Sequence, residues 1–460
     1  MLRGTVRPGP SENPQDLKGG RMSLGEKGLR KGLILVLVLL LAPMIAFAGG
    51  EKEGAGEASG EAAESEEAAP ETVTLSVLLP TGGGYTIEDQ QAIGQEFEEN
   101  NPNIDIEMEF VGWANLFDRI VTSIGSGNAP DAMYIGSRWI PQLASMGAIT
   151  PLDQYLTEDK IAMYPEQVWN TTRYGGKIYG VVRAMSAKAL LYNKDLFREA
   201  GLDPESPPQS WEELYSYARQ INDLGENTYG FGLAADKFTS TTSQFLNFLY
   251  ANGGRVVDEE GNVVIDSDAA VQALEFYAGR LSEVTWSAPM EWRREDIINP
   301  FSAGNVGMYI DHVHSVTKAL DSGVDVGVAL IPGGPAEGAP EHASVQVTDS
   351  IAIPSQSENK EAALKFIRYM TSFEKQAEWD QKLGFIPPIK EEMELEAFDK
   401  WYWEPFLETT RNYAVGQPKM KNYTAGEETL LNAIQSVFLG EASAQDALTS
   451  AAQTIRSLEG

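Results

Sequence analysis

The sequence predicts an α/β protein of two lobes, each a mixed or parallel sheet flanked by helices, with a ligand cleft between the lobes. Three observations carry that expectation. At 460 residues the chain is too long for one compact core. From Val73 onward, strand-like and helix-like segments alternate, the pattern of parallel strands with helical crossovers. Its 42% apolar and 22% charged residues are those of a globular chain.

The elements follow in order. Val73–Leu79 (VTLSVLL) is a strand. Thr86 caps a helix, with Asp89 three residues on and Ile93 and Phe97 on one face, ending at Asn100-Asn101-Pro102. Ile104, Ile106, Met108 and Phe110 alternate as a half-buried strand. Leu116, Ile120 and Ile124 recur at helical spacing until Gly125-Ser126-Gly127, and DAMYIG (131–136) is a third strand. Tyr174-Gly175-Gly176-Lys177 is a turn before two apolar stretches, IYGVV and ALLYN. A short helix over Asp195–Ala200 closes at Gly201, and Ser210-x-x-Glu213 is a capping box. Further helices are expected over 241–252, 268–283, 359–371, 374–383, 425–439 and 442–458, with strands over 306–310, 324–330 and 350–353.

The first 72 residues differ from the rest. Lys27, Arg30 and Lys31 precede an apolar run, Leu33–Ala48, that ends Ala46-Phe47-Ala48, as in a signal peptide. A run of 16 residues is short for a membrane anchor, which needs roughly 20. Residues 1–48 are therefore expected to be upstream residues and a cleaved signal, with Met22 an alternative start. Residues 49–72, rich in Gly, Ala and Glu, are expected to be a disordered acidic linker. With no cysteine, neither a disulfide nor a lipid on cysteine is expected, so the expected address is the periplasm and not a lipoprotein anchor. The net charge is −32; residues 1–48 carry seven basic and three acidic residues, leaving −36 for the remainder. Such acidity argues against nucleic acid as a partner.

LLPTGGGYTIED (78–89) joins the first strand to the first helix. It lacks the lysine of a phosphate-binding P-loop, and Gly82-x-Gly84 puts Ile87 where a dinucleotide fingerprint needs its third glycine. What remains is a bare loop carrying Tyr85, whose flat face and hydroxyl suit a sugar. Loops at the carboxyl ends of strands gather ligands in α/β sheets, so Trp113 and Trp139 are candidate contacts, and Trp286 lies in polar, loop-like surroundings. His312 and His314 follow the strand VGMYI; on an extended strand the two would share a face, but no further His or Cys stands nearby to complete a metal site. There is no Gly-x-Ser-x-Gly elbow, and no catalytic residue, metal or cofactor is expected.

Six segments, in order, resemble the family 1 extracellular solute-binding proteins of ABC importers, the group that includes maltose-binding protein. They are 127–156 (GNAPDAMYIGSRWIPQLASMGAITPLDQYL), 174–181 (YGGKIYGV), 189–221 (ALLYNKDLF…), 301–312 (FSAGNVGMYIDH), 351–372 (IAIPSQSENKEAALKFIRYMTS) and 383–388 (LGFIPP). The resemblance implies a type II periplasmic binding fold. It places an N-terminal lobe at 73–182 plus 327–372, a C-terminal lobe at 188–325 plus 373–460, and hinge crossings at 183–187 and near 326. It also implies no catalysis, a carbohydrate as ligand, and delivery to the transmembrane subunits of an ABC permease; a monomer is the default expectation. The family's ligand positions fall on Tyr85, on Ser137, Arg138 and Trp139, and on Arg183. Asp311, His312 and His314 stand where many relatives carry a stacking Trp, and Asp349 stands where relatives often show Gly-Gly. The alternatives are the same role for a polyol phosphate or a polyamine, or an exported glycoside hydrolase.

Overall fold

A computed structural model describes residues 72–82 and 86–460. The expected signal, the linker up to residue 71, and Tyr85 lie outside the described residues. Among the described residues no helix is long and apolar enough to cross a membrane.

The chain opens with β1 (Val73–Thr81), α1 (Ile87–Asn100), β2 (Ile104–Gly112), α2 (Trp113–Gly125), β3 (Ala132–Gly136), α3 (Ile140–Ser145), α4 (Glu158–Met163) and α5 (Glu166–Thr172). It continues with β4 (Arg173–Tyr174), β5 (Lys177–Ile178), β6 (Val181–Ser186), β7 (Ala189–Asn193), α6 (Lys194–Glu199), α7 (Trp211–Asn222), β8 (Tyr229–Gly232) and α8 (Thr239–Ala251). Next come α9 (Asp268–Leu274), α10 (Arg294–Ser302), β9 (Val306–Asp311), α11 (Val313–Asp321), β10 (Val326–Ala329) and β11 (Ser344–Ala352). The last elements are α12 (Lys360–Met370), α13 (Phe373–Leu383), α14 (Glu404–Glu408), β12 (Ala414–Gly416), α15 (Tyr423–Phe438) and α16 (Ala444–Glu459).

Local chemistry sets these boundaries. The Thr86 hydroxyl accepts from the Asp89 amide and starts α1, and Ser210 does the same for Glu213 at α7. Glu213 also reaches back to accept from the Gln209 amide, one residue before the cap, which ties the entering chain to the first turn. The helix expected over 268–283 is helical throughout, but α9 gives way to a π turn, Glu275–Gly279, and a 3-10 turn, Arg280–Val284.

Two sheets organise the described chain. The first has the order β12-β11-β3-β1-β2, with β6 also on β11. Here β1 runs parallel to β2 and β3, whereas β11 is antiparallel to β3 and β6. The second is β10-β7-β9-β8, with only β8 and β9 parallel. Because β10 pairs with β7, residues 327–329 lie in the second sheet, not the first lobe as expected, and the crossing back runs over 330–343. The other crossing is Ala187-Lys188, between β6 and β7.

The segment after residue 372 also departs from the expected division. Helix α13 packs on the first lobe through Lys375–Glu96 and Lys382–Asp89 ion pairs, and β12 joins the first sheet. The interior is closely packed: Trp211 stacks on Phe276 at 4.5 Å, and an added Cβ at Gly230 would meet the Ala218 carbonyl oxygen at 1.9 Å.

Candidate functional site

The candidate site is assembled where loops at the strand ends of both sheets meet the Ala187-Lys188 crossing. From the first sheet, β3 ends at Gly136 and turns through Ser137-Arg138-Trp139. Gly136 leaves room there for Arg138, since an added Cβ would lie 2.7 Å from a guanidinium nitrogen and displace that side chain. The Ser137 hydroxyl lies 2.8 Å from that of Ser350, which ties the turn to β11. Asp349 pairs across β11 with Gly136 and so stands beside Arg138.

Aromatic rings surround the guanidinium. Trp113 and Trp139 stack at 5.6 Å with 24° between planes, and Arg138 lies 4.7 Å from the Trp139 ring and 5.5 Å from that of Trp113. Tyr423, at the start of α15, approaches Arg138 at 5.9 Å. Such contacts favour the cation and hold it in one orientation. Trp139 is 6% exposed and packs on Phe117, so its outer face is covered, whereas Trp113 is half-buried.

The charges are unevenly satisfied. Asp349 is 3.8 Å from Arg138, too far for a hydrogen bond, and its Oδ1 has no hydrogen-bond partner among the described residues. Burial raises its carboxyl to about 6, because desolvation outweighs the attraction of Arg138 and Lys188. Lys188 is buried and donates to the Ser186 hydroxyl at 3.2 Å. Burial lowers it to about 7, helped by Arg294 and opposed by Asp311, Glu295 and Asp349. Lys188 thus feels carboxylates from both lobes, and sequence reasoning passed over it because an isolated lysine beside a strand has no pattern of its own.

On the second lobe, Asp311 is fully engaged. It pairs with Arg294 and accepts from the Ser315 hydroxyl at 2.6 Å. Burial alone would raise it, but Arg294, His312 and Lys188 hold it well below the usual carboxylate range. Strand β9 ends at Asp311, so His312 is the N-cap of α11 and His314 lies in its first turn. The rings, 6.2 Å apart between centroids, do not share a strand face. His314 is exposed, and burial, with Lys188 and Arg294, draws His312 toward neutral imidazole while Asp311 opposes it. Among the described residues no cluster of three or more His, Cys, Asp or Glu is placed to hold a metal ion.

The family model for bacterial extracellular solute-binding proteins matches residues 83–377. The chain belongs to this family. A putative binding protein of Brucella abortus (strain 2308) is 30% identical over 397 residues, covering 85% of this chain and 93% of its own. A maltotriose-binding protein of Pyrococcus abyssi is 24% identical over 311 residues, covering 65% and 63%. An ABC-transporter solute-binding protein of Thermotoga lettingae, solved with α-D-tagatose bound, is 28% identical with a TM-score of 0.74, covering 85% of this chain and all of that one. The fold is therefore that of the two-lobed binding proteins.

Two other residues expected on the solute of such a protein sit elsewhere. Arg183 is fully buried; its guanidinium lies 4.8 Å from the Trp379 ring and donates to Gln376 Oε1 at 3.1 Å, facing α13. Trp286 is 5% exposed and stacks on Trp292 at 4.4 Å, with Tyr229 edge-on. Its polar neighbours in sequence do not surround it in space. The structure therefore groups Trp113, Ser137, Trp139 and Asp349 about Arg138 and its turn, brings Asp349, Asp311 and His312 within electrostatic reach of Lys188, and sets Arg183, Trp286 and the outward-facing His314 apart.

Proposed function

We propose that this chain is the extracytoplasmic solute-binding subunit of an ABC importer, and that its solute is a carbohydrate held between the lobes. The carrying observation is the group formed by Asp349, with an open carboxylate oxygen, Arg138 and Lys188 beside the Trp113–Trp139 stack. A carboxylate accepts from hydroxyls, the two cations donate to them, and an indole covers the C–H face of a ring. Relatives that bind maltotriose and α-D-tagatose support this reading. An sn-glycerol-3-phosphate-binding protein of Escherichia coli (strain K12) is also related, at 23% identity. Here, however, Arg294 is committed to Asp311, and Asp349 repels an anion, so a neutral solute fits better than a polyol phosphate.

On this reading the protein is exported, acts as a monomer in the periplasm, performs no catalysis and delivers its solute to the permease. The two crossings at 187–188 and 330–343 act as the hinge. A micromolar solute supplies about 8 kcal/mol, of which only the share favouring the closed form drives closure. The test is a thermal-shift and tryptophan-fluorescence screen of the protein against D-tagatose, maltose, maltotriose, sn-glycerol 3-phosphate and spermidine. A sugar that raises Tm and survives long incubation intact supports the proposal. A response to glycerol phosphate or spermidine alone discards the carbohydrate, and breakdown of a glycoside discards the binding role.

A further inference from the structure

A second groove, apart from the Arg138 group, lies between the lobes. Its cavity is about 300 Å³, at the small end for a ligand pocket and enough for a single ring. One wall is the first turn of α11 on the second lobe, including His314. The other holds Lys382 and Gly384 at the end of α13, and Lys400, Tyr402 and Trp403 from the segment between α13 and β12, both of which pack on the first lobe. The walls come close, since a Cβ added at Gly384 would stand 4.0 Å from the His314 amide nitrogen.

The groove is rich in donors. His312 makes no side-chain cap bond, which leaves the first-turn amides of α11 open at the positive end of the helix. Trp403 and Tyr402 are only 4% and 7% exposed, yet among the described residues neither the indole N–H nor the phenol hydroxyl has a hydrogen-bond partner. A buried donor left unpaired is costly, and a ligand acceptor removes that cost. Lys400 Nζ lies 5.9 Å from the Tyr402 ring and pairs with no carboxylate among the described residues.

The charges select the acceptor. Lys382, Lys400 and His314 line the groove and no carboxylate does, in a chain with 67 acidic and 35 basic residues. Asp89, which holds Lys382 at 2.6 Å, and Asp311, which holds Arg294, are both engaged. An anionic group is therefore favoured here, whereas Asp349 repels one at the Arg138 end. The Trp403 ring, edge-on to Phe398 at 5.0 Å, adds a flat apolar wall.

We propose that this groove is a subsite for one acidic sugar ring, whose carboxylate accepts from Lys400, the Trp403 indole N–H and the open start of α11. The solute is then a uronate-bearing saccharide whose neutral part lies against Trp113 and Arg138. The sugar in this assignment rests on the proposed function; the carboxylate does not. Because the walls belong to different lobes, a ring held here favours the closed form.

The test follows the Trp403 indole signal in proton–nitrogen-15 spectra of the protein, identified by its loss in W403F, or in W403Y if the first variant does not fold. D-glucuronate or D-galacturonate should shift this signal, and D-glucose and D-galactose should not. K400Q, an exposed change, should raise the Kd for the uronate about tenfold, as expected for losing a charged hydrogen bond. Uronates that leave the signal unmoved overturn the subsite, even where a neutral sugar raises Tm and so upholds the proposed function. An equal shift with the neutral sugars, or an unchanged Kd in K400Q, overturns the acidic assignment. A shift with sodium acetate but with no sugar keeps the carboxylate site and discards the carbohydrate reading.

Discussion

Replacing Asp349 by asparagine should stabilise the solute-free protein while weakening solute binding. The carboxyl is raised from 3.8 to about 6 by burial, and its side chain is only 16% exposed. The folded state thus resists its ionisation even with Arg138 and Lys188 nearby. At 1.36 kcal/mol per pH unit, that rise costs about 3 kcal/mol once the group is ionised in both states. An acid with a raised folded value gives its full stability below 3.8 and loses it as pH rises through about 6. D349N should therefore match wild type near pH 4 and exceed it above about pH 7. With an unfolding entropy of about 2.1 cal/mol/K per residue over roughly 390 residues, 3 kcal/mol corresponds to about 4 °C in Tm. Differential scanning calorimetry at about pH 4 and pH 8 reads the difference directly. Solute affinity should fall about 10- to 100-fold, the range for losing a hydrogen bond to a charged group. A variant no more stable than wild type at the higher pH would refute the argument that Asp349 is an under-solvated carboxylate kept for its ligand.

Three further outcomes follow from the packing. Arg183→Met should cost about 3–5 kcal/mol in urea unfolding, because it removes the cation beside Asp380 and Glu392; unchanged stability with lost solute affinity would return Arg183 to the binding surface. Trp113→Ala should weaken solute binding about tenfold or more, by calorimetry with a sugar from the screen, and an unchanged affinity removes the indole from the site. Gly230→Ala should lower stability by about 3 kcal/mol or more, since the new methyl meets the backbone of α7 rather than a movable side chain; a Tm within a degree of wild type would contradict the observed approach.

Periodicity and capping chemistry were enough to place many of the elements. Thr86 and Ser210 begin their helices where a hydroxyl three residues ahead of an amide demands it, and β9 covers the VGMYI run with one residue more. Short-range signals of this kind survive folding because the partners are neighbours in the chain. Where the partners are distant, the sequence misled. Strand β11 begins at Ser344, six residues before the apolar stretch that announced it, because Asn247 on α8 and Ala414–Gly416 satisfy its first polar residues. The Asp311-His312-Val313-His314 run reads as strand, yet the helix starts at Val313 and turns the two rings apart.

The sequence by itself determined the alternation of strands and helices, the family, and the loop residues Ser137, Arg138 and Trp139 at the end of β3. The tertiary structure alone decided which charges are spoken for. Arg294 travels from α10 to neutralise Asp311, Arg183 turns to α13, and Lys188 is left between Asp349 and Asp311 on the crossing. The reason is the reach of the forces involved. Hydrophobic periodicity and caps act over three or four residues, whereas the fate of a charge depends on desolvation and on partners that only folding brings within a few ångströms.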